Sequence, residues 1–207
     1  IFVMALSDEG KILPFGNTSR GFVYDLASVE YASSVVILPD NKILVAGYYM
    51  PSLVYQTFVI RLLPDGDLDE TFADHGVFSS DDIWLEIKDI EVYGDADSYK
   101  IILSGEDNSD YPQMIVIDQS GNLDLSFGTD GIVRYAGLTG YYSDIIVDNE
   151  NNDLYACLAL SGKKTALAKY DLPGGTPDAA FGTGGIVSSE SFEDIELTFN
   201  TIAFDKS

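Results

Sequence analysis

Short apolar runs alternate with polar turns along most of the chain. "VVIL" (Val35 to Leu38) gives way to "PDNK" and then to "ILVA" (Ile43 to Ala46), and "MIVI" (Met114 to Ile117) gives way to "DQSGN". The runs are four to six residues long and rich in Val, Ile, Leu, Tyr and Phe, and no ten-residue stretch carries a helical period. Apolar runs of this length, bounded by Gly, Pro, Asn and Asp, predict short strands throughout. Val35–Leu38, Ile43–Ala46, Met114–Ile117 and Tyr155–Leu160 are apolar almost without interruption, which predicts strands covered on both faces.

The pattern is periodic. "FVIRLLPDGDLDETFADHGVF" from Phe58, "MIVIDQSGNLDLSFGTDGIV" from Met114 and "ALAKYDLPGGTPDAAFGTGGIV" from Ala166 align. Their turn glycines (Gly66, Gly121, Gly175), aspartates (Asp69, Asp124, Asp178), aromatics (Phe72, Phe127, Phe181) and closing glycines (Gly76, Gly131, Gly185) all recur at steps of 55 and 54 residues. The opening "FVMALSDEGKILPFGNTSRGFV" is a looser fourth copy, with Gly10, Phe15 and Gly21 in the matching places. Ahead of each full copy lies a second element of two apolar runs around a polar turn: "SVVILPDNKILVAGYY", "DIEVYGDADSYKIILSGED" and "DIIVDNENNDLYACLALS". "NTIAFDKS" begins that element once more.

A unit of about four antiparallel strands, repeated at roughly 54–55 residues, predicts an all-β chain built of β-propeller blades. The expected division is a partial blade over 1–30, blades over 31–81, 82–137 and 138–190, and a partial blade over 191–207. The two partial blades either close a four-bladed ring or belong to a longer propeller, and the second is the simpler expectation. Phe72, Phe127 and Phe181 are expected as apolar plugs between blades, and Trp84, unmatched in the other copies, as a packed blade-edge residue.

"NKILVAGYY…FVIRLLPDGDLDETFADHGV" and "MIVIDQSGNLDLSFGTDGIV" resemble the delta-60 repeat, a bacterial β-propeller-like repeat. The resemblance runs through nearly the whole chain and is sharpest in the second half of each repeat. It implies a large exported or cell-surface bacterial protein, and it brings no catalytic motif with it.

Charge narrows the partners. With 34 acidic against 11 basic residues, the formal net charge is −23. Such a surface repels phosphate backbones and anionic lipid heads, so nucleic acid and membrane surfaces are poor partners. No stretch approaches the ~20 apolar residues of a membrane span. Cys157 is the single cysteine, so an internal disulfide is impossible, and within "LYACLAL" it reads as a small buried hydrophobe.

Candidate chemistry is sparse. His75 is the only histidine, and its equivalents are Asp130 and Gly184, which marks a permissive turn position rather than a general base. No GxSxG, P-loop or HExxH motif occurs, so no catalytic or cofactor-binding residue is assigned. "DGDLDE" places oxygens at alternating positions like the first half of an EF-hand loop, but Glu70 stands at the sixth position and Gly76 at the twelfth. If calcium binds anywhere, Asp65, Asp67 and Asp69 are the expected ligands; otherwise these acids form solvated turns. Tyr48, Tyr49, Tyr141 and Tyr142 are candidates for a protein- or carbohydrate-binding face. The expectation is therefore a non-enzymatic, exported propeller module. Its rivals are a propeller hydrolase or lyase with a central-channel site and a calcium-stabilised structural repeat.

Overall fold

The computed structural model describes residues 1–18, 20–26, 30–50, 56–80, 83–137, 139–162, 164–188 and 201–203. Of the partial blade expected over 191–207, all but 201–203 lies outside the described residues. Every named element is a strand: β1 (Phe2–Val3), β2 (Phe22–Val23), β3 (Glu30–Ile37), β4 (Ile43–Tyr49), β5 (Gln56–Leu62), β6 (Val77–Ser79), β7 (Glu86–Gly94), β8 (Tyr99–Glu106), β9 (Pro112–Asp118), β10 (Ile132–Arg134), β11 (Gly140–Asp148), β12 (Asp153–Leu160), β13 (Lys164–Asp171), β14 (Thr176–Pro177) and β15 (Ile186–Ser188).

They form antiparallel sheets in chain order. Blade 1 is β3-β4-β5-β6 and blade 2 is β7-β8-β9-β10; blade 3 is β11-β12-β13 with β15 as its fourth strand and β14 also paired to β13. β1 and β2 form a two-stranded half-blade. Its place in the repeat is fixed by the bridge Leu6–Ile12, which matches Leu62–Leu68 and Ile117–Leu123. The half-blade thus supplies the third and fourth strands of a blade.

Three buried clusters hold the sheets face to face. Phe15 and Phe22 of the half-blade pack on Phe58, Ile60 and Leu62 of blade 1. Leu44, Val59 and Phe72 of blade 1 pack on Ile90, Ile101 and Ile115 of blade 2. Ile102, Met114 and Phe127 of blade 2 pack on Ile145, Leu154 and Ala168 of blade 3. Because a central blade is covered on both sides, alternate residues of β9 face opposite neighbours and both sets are buried. Among the described residues none of these clusters joins blade 3 to the half-blade.

Val35–Leu38 departs from the expected two-sided burial. Val35 is 61% exposed, whereas its equivalents Ile90 and Ile145 are buried, and Ile37 is 71% exposed, whereas its equivalents Val92 and Val147 are half-buried. The difference lies in the neighbour: Ile90 and Ile145 rest against a preceding blade's inner strands, which the half-blade does not have. Trp84 also departs, being 47% exposed rather than packed.

The closing glycines have a local cause. Gly76 and Gly131 sit at φ of 93° and 86°, and a Cβ there would come within 2.6 and 2.8 Å of Leu68 and Leu123. Only glycine satisfies both constraints.

Candidate functional site

Three arrangements gather the polar side chains that recur between blades: the corner after the third strand, a line along the inner strands, and the rim where the inner strands begin.

At the corner, Asp69, Asp124 and Asp178 do the same structural task. Each carboxylate accepts the backbone N–H two residues ahead, from Thr71 (3.1 Å), Ser126 (3.0 Å) and Ala180 (2.9 Å). Each also faces a cation from its own blade. Asp69 pairs with Arg61 (2.8 Å) and Lys42 (3.0 Å), Asp124 with Lys100 (3.0 Å), and Asp178 with Lys169 (2.8 Å). Asp69 is buried, and burial alone would raise its pKa. The bonds from Thr71 and Lys42 and the Arg61 charge overcome that and bring it down to about 2. The Arg61 guanidinium lies over the Phe72 ring at 4.6 Å and donates onward to Tyr99 and to the Gln119 carbonyl of blade 2, so this corner pins blade 1 to blade 2.

The proposed calcium ligands are therefore differently placed. Asp69 is occupied by Arg61 and Lys42, while Asp65 and Asp67 are exposed, with the Asp65 carboxylate accepting the Asp67 N–H. Among the described residues no group of three acidic, His or Cys side chains is arranged to hold a metal ion. His75 sits at φ 49° with its side chain 86% exposed, and Asp130 and Gly184 share its positive φ.

Along the inner strands, Ser34, Asp89 and Asp144 recur at 55-residue steps, each at the bulge of its strand. Each aspartate accepts the N–H of the residue after the equivalent position in the next copy. Ile145 donates to Asp89 Oδ2 at 3.1 Å, and Ile202 donates to Asp144 Oδ2 at 2.7 Å. Ser34 Oγ donates to Asp89 Oδ1 at 3.2 Å. Burial, together with the hydrogen bond to the facing Asp144 carboxyl, raises the Asp89 pKa to about 7. Burial raises Glu91 as well, with the Asp144 charge adding to it.

The rim carries the aromatics. Tyr31, Glu86 and Tyr141 share one register position, 55 residues apart, opposite Tyr48, Glu106 and Ala159 on the second strands. Tyr31 and Tyr48 stack at 5.0 Å, and Tyr31 is 47% exposed. Lys88 pairs with Glu86 and Glu106 and lies 5.0 Å from the Tyr141 ring centre. Burial would lower the Lys88 pKa, but the two glutamates outweigh it and raise it. Trp84 stands two residues before Glu86. Of the four tyrosines picked from sequence, Tyr48 and Tyr141 reach this rim and Tyr49 packs partly into the half-blade seam. Tyr142 is fully buried, its hydroxyl 2.5 Å from that of Tyr170, and presents no surface. Sequence reading missed Tyr31, Glu86 and Lys88, although the 55-residue spacing of Tyr31, Glu86 and Tyr141 was there to be found.

Comparison with known families agrees with this architecture. Residues 38–72 match the model of a beta-propeller domain of unknown function (DUF5122). The match supports a β-propeller-like repeat. It runs from the second strand of blade 1 through the third to the Asp69–Phe72 corner. No curated protein and no solved structure matches the chain.

Proposed function

We propose that the chain is a non-enzymatic propeller module of the delta-60 type, exported by a bacterium, whose rim binds a protein or glycan partner at or outside the cell surface. The observation that carries this reading is the rim itself: a stacked, half-exposed Tyr31–Tyr48 pair, Tyr141 beside Lys88, and half-exposed Trp84. Flat aromatic faces next to fixed charged groups suit sugar rings and aromatic or cationic protein side chains. The net charge of −23 favours neutral or cationic partners over anionic ones. The repeated corner and the inner-strand bonds make the rim a rigid support, so little ordering has to accompany binding.

Trp84 is the only tryptophan, so its emission reports on the rim directly. Titration with neutral oligosaccharides and with cationic proteins is expected to shift that emission saturably, and Tyr31→Ala and Tyr141→Ala are expected to weaken the response at least tenfold. Saturable binding that both substitutions leave intact, or the absence of any response across both ligand classes, overturns the reading.

A further inference from the structure

A groove lies where the corner and fourth strand of one blade meet the turn of the next. It occurs between blades 2 and 3, with a volume of about 390 Å³, and between blades 1 and 2, with about 530 Å³. Its first wall is drawn from Gly128 to Arg134, matching Ala73 to Ser79, and its second from Gly174 to Pro177, matching Ser120 to Leu123. The groove between blades 1 and 2 is open with blade 3 in place, so a blade that follows does not cover it. Clefts of about 300–1,000 Å³ are the size that holds a small ligand.

Between blades 2 and 3, tyrosines replace the residues of the other copies. Tyr170 pairs with Pro177 as Leu62 does with Leu68 and Ile117 with Leu123. Tyr142 holds the register position of Ile87, and Tyr135 follows the fourth strand where Ser80 follows that of blade 1. The Tyr142 and Tyr170 hydroxyls are 2.5 Å apart. Burial raises the Tyr142 pKa well above the usual tyrosine value and that of Tyr170 to about 12, so both keep their protons at neutral pH. Two hydroxyls bring two protons, and the bond between them uses one. Among the described residues neither hydroxyl has another hydrogen-bond partner. With Tyr142 donating, the proton left over belongs to Tyr170, which is 3% exposed and lines the groove. A buried donor without an acceptor is destabilising, and blade 2 avoids it with isoleucine at both positions.

The rest of the lining selects the acceptor. Among the described residues it contains no aspartate or glutamate, although the chain has 34 acids, and Thr129 stands where the groove beside blade 1 has Asp74. Its one charged side chain, Arg134, is paired with Asp107 at 2.7 Å, and the net charge of −23 repels anions. A neutral acceptor therefore fits. Ile132, Val133 and Ile186 form an apolar wall, and the Tyr135 ring is half-buried beside them. An acetamido group meets both demands, with a carbonyl oxygen for the hydroxyl and a methyl for the apolar wall, and a sugar ring suits the aromatic face. We infer that the groove between blades 2 and 3 binds a neutral N-acetylated sugar, with the Tyr170 hydroxyl donating to its acetamido carbonyl. The site shares no residue with the rim and goes beyond the binding proposed there.

The test is calorimetric titration of the full chain with N-acetylglucosamine, glucose and glucuronate. N-acetylglucosamine is expected to bind saturably and more tightly than the other two. Saturation-transfer NMR needs no variant, and in the wild-type complex the acetyl methyl, seated against Val133 and Ile186, is expected to receive the largest transfer. Tyr170→Phe, shown to be folded by circular dichroism, is expected to weaken binding about three- to tenfold, the share of one neutral hydrogen bond. Tyr31→Ala, on the rim, is expected to leave it unchanged. The inference is overturned by an absence of N-acetylglucosamine binding, by glucose or glucuronate binding as tightly, by an acetyl methyl that receives no excess transfer, or by a folded Tyr170→Phe that binds as the wild type does. Binding lost in Tyr31→Ala and kept in Tyr170→Phe puts the sugar on the rim, in which case this inference fails and the rim reading stands.

Discussion

Replacing Asp89 by asparagine isolates one buried ionisation and predicts its sign. In the unfolded chain an aspartate loses its proton near 3.8, whereas in the fold Asp89 keeps it to about 7 because it is buried and faces Asp144. Between those values the folded state binds more protons than the unfolded one, so stability falls as pH rises through this window and levels off above about 7. At about 1.4 kcal/mol per pH unit the ceiling is near 4 kcal/mol, and solvent reaching the pair brings the expected loss to about 2–4 kcal/mol. For a chain of this size that is about 5–10 °C in Tm. The asparagine side chain would keep an oxygen for the Ile145 N–H and would offer its own amide N–H to Asp144, without ionising. Thermal unfolding of both proteins at half-unit steps from pH 4.5 to 8 is the assay. The wild-type Tm is expected to fall more steeply than that of Asp89→Asn, whose curve crosses above it by pH 7. Glu91, whose pKa is also raised by burial, and general acidic repulsion act on both proteins and leave the difference intact. Parallel curves through pH 5–7 would show that Asp89 ionises freely in the fold, and the inner-strand argument would be wrong.

Three further outcomes follow from the seams. Phe72→Ala and Phe127→Ala each remove a fully buried ring and should cost about 3–5 kcal/mol in urea unfolding, with Phe181→Ala, at a half-buried position, costing clearly less. Asp69→Ala strips a partner from buried Arg61 and should cost about 3–5 kcal/mol, while Asp178→Ala, at a more accessible corner, costs clearly less and EGTA leaves the wild-type Tm unmoved; a chelator-induced drop would place a cation in the turn after all. Tyr93 carries a buried hydroxyl with no hydrogen-bond partner among the described residues, so Tyr93→Phe is expected to hold or raise stability, by up to about 1 kcal/mol in the same assay.

The blade could be read from the chain because its turns are written in residues with few alternatives. The glycines at 76 and 131 are fixed by positive φ together with a leucine within 3 Å, and their spacing exposes the repeat before any strand is identified. Burial could not be read in the same way. Val35 and Ile90 sit in equivalent apolar runs, yet one is exposed and the other enclosed, because the difference belongs to the neighbouring blade and not to the strand. Tyr142 and Tyr141 are adjacent and chemically identical. Alternation along β11 sends Tyr142 into the core and Tyr141 to the rim, and only the register relative to Leu158 and Ala159 decides which.

The same distinction explains the acidity. Asp95, Asp107, Asp118 and Asp148 each accept the backbone N–H two residues ahead, at 2.8–3.0 Å, in the turns between strands. Asp69, Asp124 and Asp178 do so again at the corners. A fold made of four-stranded units turns the chain every few residues, and an Asp side chain stabilises such a turn by bonding its own backbone. Part of the −23 thus follows from how often the chain must turn, and charge density alone is a poor pointer to a ligand here. The acids that carry information are those that break this habit. Asp89 and Asp144 sit on strand bulges rather than in turns and each accepts a backbone N–H of the next copy, which makes them part of the seam that sets one blade against the next.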